Sequence, residues 1–223
     1  MITQDITDII DSGDQFIKEF HKDKNGNYLS WEHCYSAFSK YNRKKGSELI
    51  HIDIDLLCLH LASYLASWGM YRGSSMLPKK DYKVHATAIE ELIKPDYINL
   101  WELQCEELIN DKLENLFNLR DKLDEIYRVS DVTPTDTLIT KIMIGTLGCA
   151  PAFDRYFKDG VRGKKNAHLV FNRKNMQVLS KYYVDNSSRF EELSKSVPTG
   201  ELKYPQMKIL DMCFFYQGYK INE

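Results

Sequence analysis

Apolar residues recur at helical spacing along nearly the whole chain. Ile6, Ile9, Ile10, Phe16, Ile17 and Phe20 form one such stripe, crossed by Gly13. A turn at Asn25-Gly26-Asn27 separates it from a helix that Ser30 can cap, with Trp31, Tyr35, Phe38 and Tyr41 on its apolar face. Asp55 to Met70 is apolar on most sides and reads as a buried helix. Asp81 to Ile93 reads as another, stopped before Pro95. The longest periodic stretch, residues 97–128, is expected to break near Asn110 or Asn118. Thr133 as N-cap and Pro134 as first helical residue open the next helix, which runs to Gly145–Gly148. Pro151 is expected to open another, ending near Gly160. Asn172 to Asp185 and Tyr204 to Tyr219 complete the set, and the last helix is expected to dock on Trp31 and Phe38. His168 to Phe171 is the only candidate strand.

This pattern predicts an all-α fold, a two-lobed helical bundle of about eight to ten helices. The expected division places residues 1–80 and 172–223 in one lobe and 81–171 in the other, with a helical hairpin near 120–148. A length of 223 residues suits a single domain of this kind.

Charge adds a regional asymmetry. The net charge is only -2, which excludes a uniformly basic coat. Yet residues 86–136 carry thirteen acids and five bases, whereas residues 154–174 carry seven bases and two acids. The basic segment can hold a polyanion, or it can be an ordinary solvated loop. The five cysteines are widely spaced and odd in number, which disfavours a disulfide framework and leads to the expectation of a reduced, cytoplasmic protein. No leader-like or membrane-spanning run is apparent, so no membrane partner is expected.

Four local patterns could carry chemistry. Residues 21–32 mimic a calcium loop, with Gly26 sixth and Glu32 twelfth, but His21 in the first position suits calcium poorly. His51 and Asp55 have the spacing of a helical metal pair without a defined third ligand, and Asp53 or Asp55 as an N-cap explains the carboxylates more simply. No metal and no cofactor are therefore expected. Residues 67–75 combine Trp68, Tyr71 and Arg72 with glycines and serines, as a nucleobase pocket or phosphate clamp would. A helix end at Gly69, with Trp68 and Tyr71 in the core, explains them equally well.

The fourth runs from Val129 to Phe157. A turn leads into a capped helix, a small-residue connection follows, and Ala150-Pro151-Ala152-Phe153-Asp154 delivers a carboxylate to a helix start. This stretch resembles the helix-hairpin-helix DNA glycosylase superfamily, in which a hairpin is followed by a Pro-hydrophobic-Asp element bearing the catalytic aspartate. The resemblance covers about thirty residues. It implies Val129 to Asp136 as the hairpin turn and Asp154 as the group that stabilises an oxocarbenium-like transition state and orients water. The turn lacks the glycines usual in that family. Lys141 lies about a turn and a half beyond where bifunctional members place their lysine, so the implied enzyme is monofunctional. Its substrate would be double-stranded DNA with a modified base, as in phage-defence members. The base would be flipped into a pocket made by Trp68, Tyr71 and Arg72. Thr133, Thr135, Arg155, Lys158, Arg162, Lys164 and Lys165 would contact the backbone. The competing reading is a non-catalytic helical DNA- or protein-binding module. An enzyme requires Asp154 to border an open cleft beside the basic segment; a scaffold would use it as a cap or ion pair on a closed surface.

Overall fold

The computed structural model describes residues 2, 4–20, 22–43, 53–72, 76–101, 103–110, 112–198 and 202–223. Among them are eleven α-helices: α1 (Ile6–Phe20), α2 (Leu29–Arg43), α3 (Ile54–Ser67), α4 (Ala86–Leu92), α5 (Cys105–Asn110), α6 (Leu113–Val129), α7 (Asp136–Thr146), α8 (Arg155–Arg162), α9 (Arg173–Asp185), α10 (Ser187–Ser196) and α11 (Gln206–Asn222). Three 3-10 turns join them, at Leu77–Lys79, Tyr82–His85 and Pro95–Leu100. The fold is all-α, and no strand occurs among the described residues. The expected strand at 168–171 is an irregular connection between α8 and α9, with no strand pairing among the described residues. His21, His51 and Gly73–Ser75 of the expected motifs lie outside the described residues.

Helix boundaries follow local capping more closely than apolar period. Asp53 caps α3 by accepting from Leu56 N at 3.0 Å. At its other end Gly69 is left-handed (φ +76), Met70 N donates to Leu65 O and Gly69 N to Ala66 O. That pair of bonds closes the helix in the Schellman manner. Thr135, not Thr133, caps α7. Its backbone is extended and its hydroxyl accepts from Leu138 N at 3.1 Å, so Pro134 lies outside the helix. Pro151 does not open α8 either; residues 151–153 are non-helical and Asp154 is the N-cap. The 97–128 stretch divides into a 3-10 turn, α5 and α6, with the break beside Asn110 and none at Asn118. α10 has no counterpart among the helices read from the sequence.

The buried apolar side chains form one contiguous cluster from Ile9 to Tyr216. Two helices are central to it. In α7 every residue from Leu138 to Thr146 is buried, against α2, α3 and α6. α11 is buried on most sides, chiefly by α8 and α1. Its Tyr204 approach edges Trp31 at 4.7 Å, while the helix body docks chiefly on α8 and α1. The α8–α11 contact is backbone to backbone. A Cβ added at Gly160 would sit 1.9 Å from Phe214 O, and one at Gly218 would sit 1.8 Å from Tyr156 O. Only glycine at both places permits this approach, which fixes the start of α8 against α11.

Candidate functional site

Asp154 stands where α8 begins. Its Oδ1 accepts from Phe157 N at 3.0 Å, an ordinary N-cap bond. Its Oδ2 lies 3.2 Å from Lys141 Nζ. Lys141 reaches it from inside α7, and its ammonium also donates to Trp68 O at 3.3 Å and sits 5.3 Å from the Trp68 ring centre. The side chains of Lys141 and Asp154 are 5% and 14% exposed, so this ion pair is largely withdrawn from water. Because all sides of α7 are buried, a lysine on it must end inside and needs an anion there.

A second ion pair adjoins the first. On α11, Lys208 Nζ lies 3.3 Å from Asp211 Oδ2, and both side chains are buried. The Lys208 ammonium also lies 4.8 Å from the Trp31 ring centre. Burial lowers the Lys208 pKa, and the Lys141 charge pushes the same way. Burial raises that of Asp211, again reinforced by the like charge of Asp154. These four residues, with Phe16, Tyr64, Trp68, Ala152 and Phe215, line a cavity of about 20 Å³. That is room for one water molecule, not for a base. Trp68 Nε1 is buried and finds no acceptor among the described residues.

The expected base pocket is therefore divided. Trp68 lines this cavity. Tyr71 does not; its hydroxyl meets His85 Nε2 at 2.9 Å, and His85 Nδ1 meets Tyr127 OH at 2.6 Å. Burial holds His85 well below the usual histidine range, at about 4, so the imidazole is neutral. It serves one tyrosine as donor and the other as acceptor. Arg72 is exposed, and its guanidinium lies against the α3 terminus, where a Cβ at Gly69 would meet it at 3.4 Å. Trp68 and Tyr71, part-buried against the core, and Gly69 as the helix end come nearer to the plainer of the two sequence readings.

The basic segment is exposed as expected at Arg155, Lys164, Lys165, Arg173 and Lys174, and part-exposed at Lys158 and Arg162. Among the described residues none of these seven forms an ion pair. Arg155 stacks on Tyr156 and Arg173 on Phe117, at 4.7 and 5.2 Å from the ring centres. Arg162 Nε is buried without a partner. Thr133 is exposed in the α6–α7 turn, and the Thr135 hydroxyl is occupied as a cap.

The metal-like patterns have structural employment. Asp23 Oδ1 accepts from Asn25 N at 2.9 Å within the turn, and Glu32 accepts from Tyr204 OH at 2.6 Å. Among the described residues no three His, Cys, Asp or Glu side chains converge as a metal site. No described helix is long and apolar enough to cross a membrane.

Sequence reasoning set Lys141 aside and did not consider Lys208 or Asp211. A signal for the latter pair exists. Met207-Lys208-Ile209-Leu210-Asp211-Met212-Cys213-Phe214 places two opposite charges three residues apart in an otherwise apolar run. Such charges share a helix face and must be buried together. No protein-family model, curated protein or solved structure matches the chain.

Proposed function

We propose that this chain binds double-stranded DNA across the face made by α8, the 163–172 connection and the start of α9, and that it excises a modified base at Asp154 as a monofunctional glycosylase. Within this reading α6, the 130–135 turn and α7 are the hairpin. The observation that carries it is the placement of Asp154 at the first residue of that cationic face. Seven basic side chains without ion partners are a surface that phosphates would satisfy. A carboxylate beside them, held by a cap bond and a lysine, has the fixed geometry needed to stabilise positive charge developing on a sugar. Glycosidic cleavage would proceed by departure of the base while Asp154 faces the cationic sugar carbon, followed by addition of water and loss of its proton. Base entry requires the cavity to enlarge, because a ligand pocket ordinarily spans about 300 Å³ or more. Trp68, whose carbonyl and ring both meet Lys141, is the side chain that would have to move.

A second reading, a non-catalytic helical DNA- or protein-binding module, is favoured by one observation. Asp154 is both a cap and a largely buried ion-pair partner lining a cavity of about 20 Å³, as a scaffold residue would be. The discriminating experiment incubates the protein with duplexes carrying diverse modified bases and scores abasic-site cleavage. Asp154→Asn should lower excision about a hundredfold or more, since one preorganised electrostatic group is worth roughly 3 kcal/mol, while duplex binding survives. Full activity in that variant, or no excision by the parent protein on any duplex, defeats the catalytic reading. A borohydride-trapped adduct lost only on removal of Lys141 defeats the monofunctional one.

DNA binding is tested separately. Lys164→Glu should weaken binding to any sequence and reduce the slope of log affinity against log salt by about one or more. Glu114→Lys, on the exposed acidic side of α6, should leave binding unchanged or tighter. Equal effects of the two changes would reduce the basic segment to a solvated loop.

A further inference from the structure

Asp154 is placed by the residues before it. Residues 151–153 have no helical bonding of their own, so their position depends on side chains that reach in from other elements. From α7, Thr140 Oγ1 accepts from Phe153 N at 2.8 Å, and the Thr137 hydroxyl donates to Phe153 O at 2.9 Å. From the opposite side, Asp211 Oδ1 on α11 accepts from Ala152 N at 2.9 Å in a buried bond. Asp211's other oxygen is the one that meets Lys208. One carboxylate thus joins the connection to the central helix, and its counter-ion lies on that same helix.

We infer that Asp211 is a positioning residue for Asp154, acting through Ala152 N, with Lys208 as the counter-ion that keeps its carboxylate ionised. The inference rests on Asp154 being the catalytic carboxylate. The chemistry explains the pairing. A carboxylate accepts a stronger, shorter hydrogen bond from a backbone N–H than a neutral acceptor does. A carboxylate this deeply buried would take up a proton without a cation beside it. The Gly160–Gly218 contact adds the rigidity. Asp154 lies six residues before Gly160 on one helix and Asp211 seven before Gly218 on the other. The close backbone approaches, Gly160 to Phe214 O and Gly218 to Tyr156 O, fall within a turn of both carboxylates.

The test compares two double variants that remove the Lys208–Asp211 charges as a unit. In Asp211→Asn/Lys208→Met the side-chain carbonyl can still accept from Ala152 N; in Asp211→Ala/Lys208→Met nothing does. Neither leaves an unpaired buried ion. Two measurements follow. Excision kcat should be about tenfold to a hundredfold lower in the Ala variant than in the Asn variant, with KM little changed, because misplacing a reacting group by about 1 Å costs on that order. Amide hydrogen exchange should show Ala152 and Phe157 protected in the Asn variant and exposed in the Ala variant, Phe157 N reporting the Asp154 cap directly. Equal kcat and equal Phe157 protection in the two variants overturn the inference. If the parent protein excises nothing, the proposed activity fails, while the exchange comparison still decides whether Asp211 places Asp154. If the double variants do not fold, the parent protein decides: an Ala152 amide that exchanges as freely as those of the exposed Lys165 and Asn166 shows that Asp211 does not hold it.

Discussion

Two of the polar clusters buried among the described residues are built on opposite principles. The Tyr71–His85–Tyr127 network is neutral: two hydroxyls and an imidazole satisfy one another, and burial holds the ring uncharged. The Lys141–Asp154 and Lys208–Asp211 cluster keeps four formal charges in pairs, around a cavity of about 20 Å³. The first is the economical way to bury polar atoms, since no ion is desolvated. The second requires each ion to retain its partner, and replacing such pairs by apolar residues is often neutral or stabilising. A fold that needed only stability had the neutral solution at hand. The charged cluster is therefore the better place to look for chemistry. It is also the cluster that adjoins the unpaired cations of α8.

The largest effect expected from this contrast is on stability. Lys141→Met leaves Asp154 beside an apolar wall and should cost roughly 3–5 kcal/mol, the scale for stripping one partner from a buried pair. Lys141→Met/Asp154→Asn removes both charges while an amide oxygen can still cap α8, and should recover most of that loss. Urea unfolding of the two proteins measures the difference. If the single and double variants are equally destabilised, the pair is too well solvated to count as a buried cluster, and the contrast with the neutral network collapses. By the same logic Asp154→Asn strands Lys141, so it should cost more than the roughly 1 kcal/mol scale of a cap substitution even though the amide oxygen can still cap α8.

The contrast was only half visible in the sequence. Helical spacing over most of the chain carried the all-α class, and Asp53 and Gly69 announced the ends of α3 because capping is local chemistry. Thr133 and Pro134 misled for a local reason too. Thr-Pro at 133–134 has the composition of a helix start, but Thr135 is followed by Asp136-Thr137-Leu138 and satisfies Leu138 N itself. α10 went unread because Ser187–Ser196 is mostly polar and owes its place to Phe190 and Leu193 packing on neighbours. Asp154 could be singled out from its position after Pro151 and Phe153. Its partner could not, because nothing local says that α7 is buried all round and that Lys141 must therefore find an anion. His85 was invisible for the same reason; its two tyrosines come from positions 71 and 127, which only the tertiary fold brings together.

The neutral network makes the smaller and more easily isolated prediction. Unfolded, His85 takes up a proton below its ordinary pKa of 6.5; folded, burial delays this to about 4. The stability it contributes is thus fully present above pH 6.5 and is lost as pH falls from there toward 4. The loss over that window is about 3 kcal/mol, at 1.36 kcal/mol for each pKa unit. Acidic side chains titrate at the lower end of the same window, so the wild-type curve alone does not isolate the histidine. His85→Gln does: it keeps a donor and an acceptor between Tyr71 and Tyr127 but cannot be protonated. Denaturant unfolding of both proteins between pH 7 and pH 4.5 should give curves that converge toward acid, with the wild type losing more. Parallel curves would mean that His85 is reached by water and charged in the folded state, and the network would then belong with the charged cluster instead of standing against it.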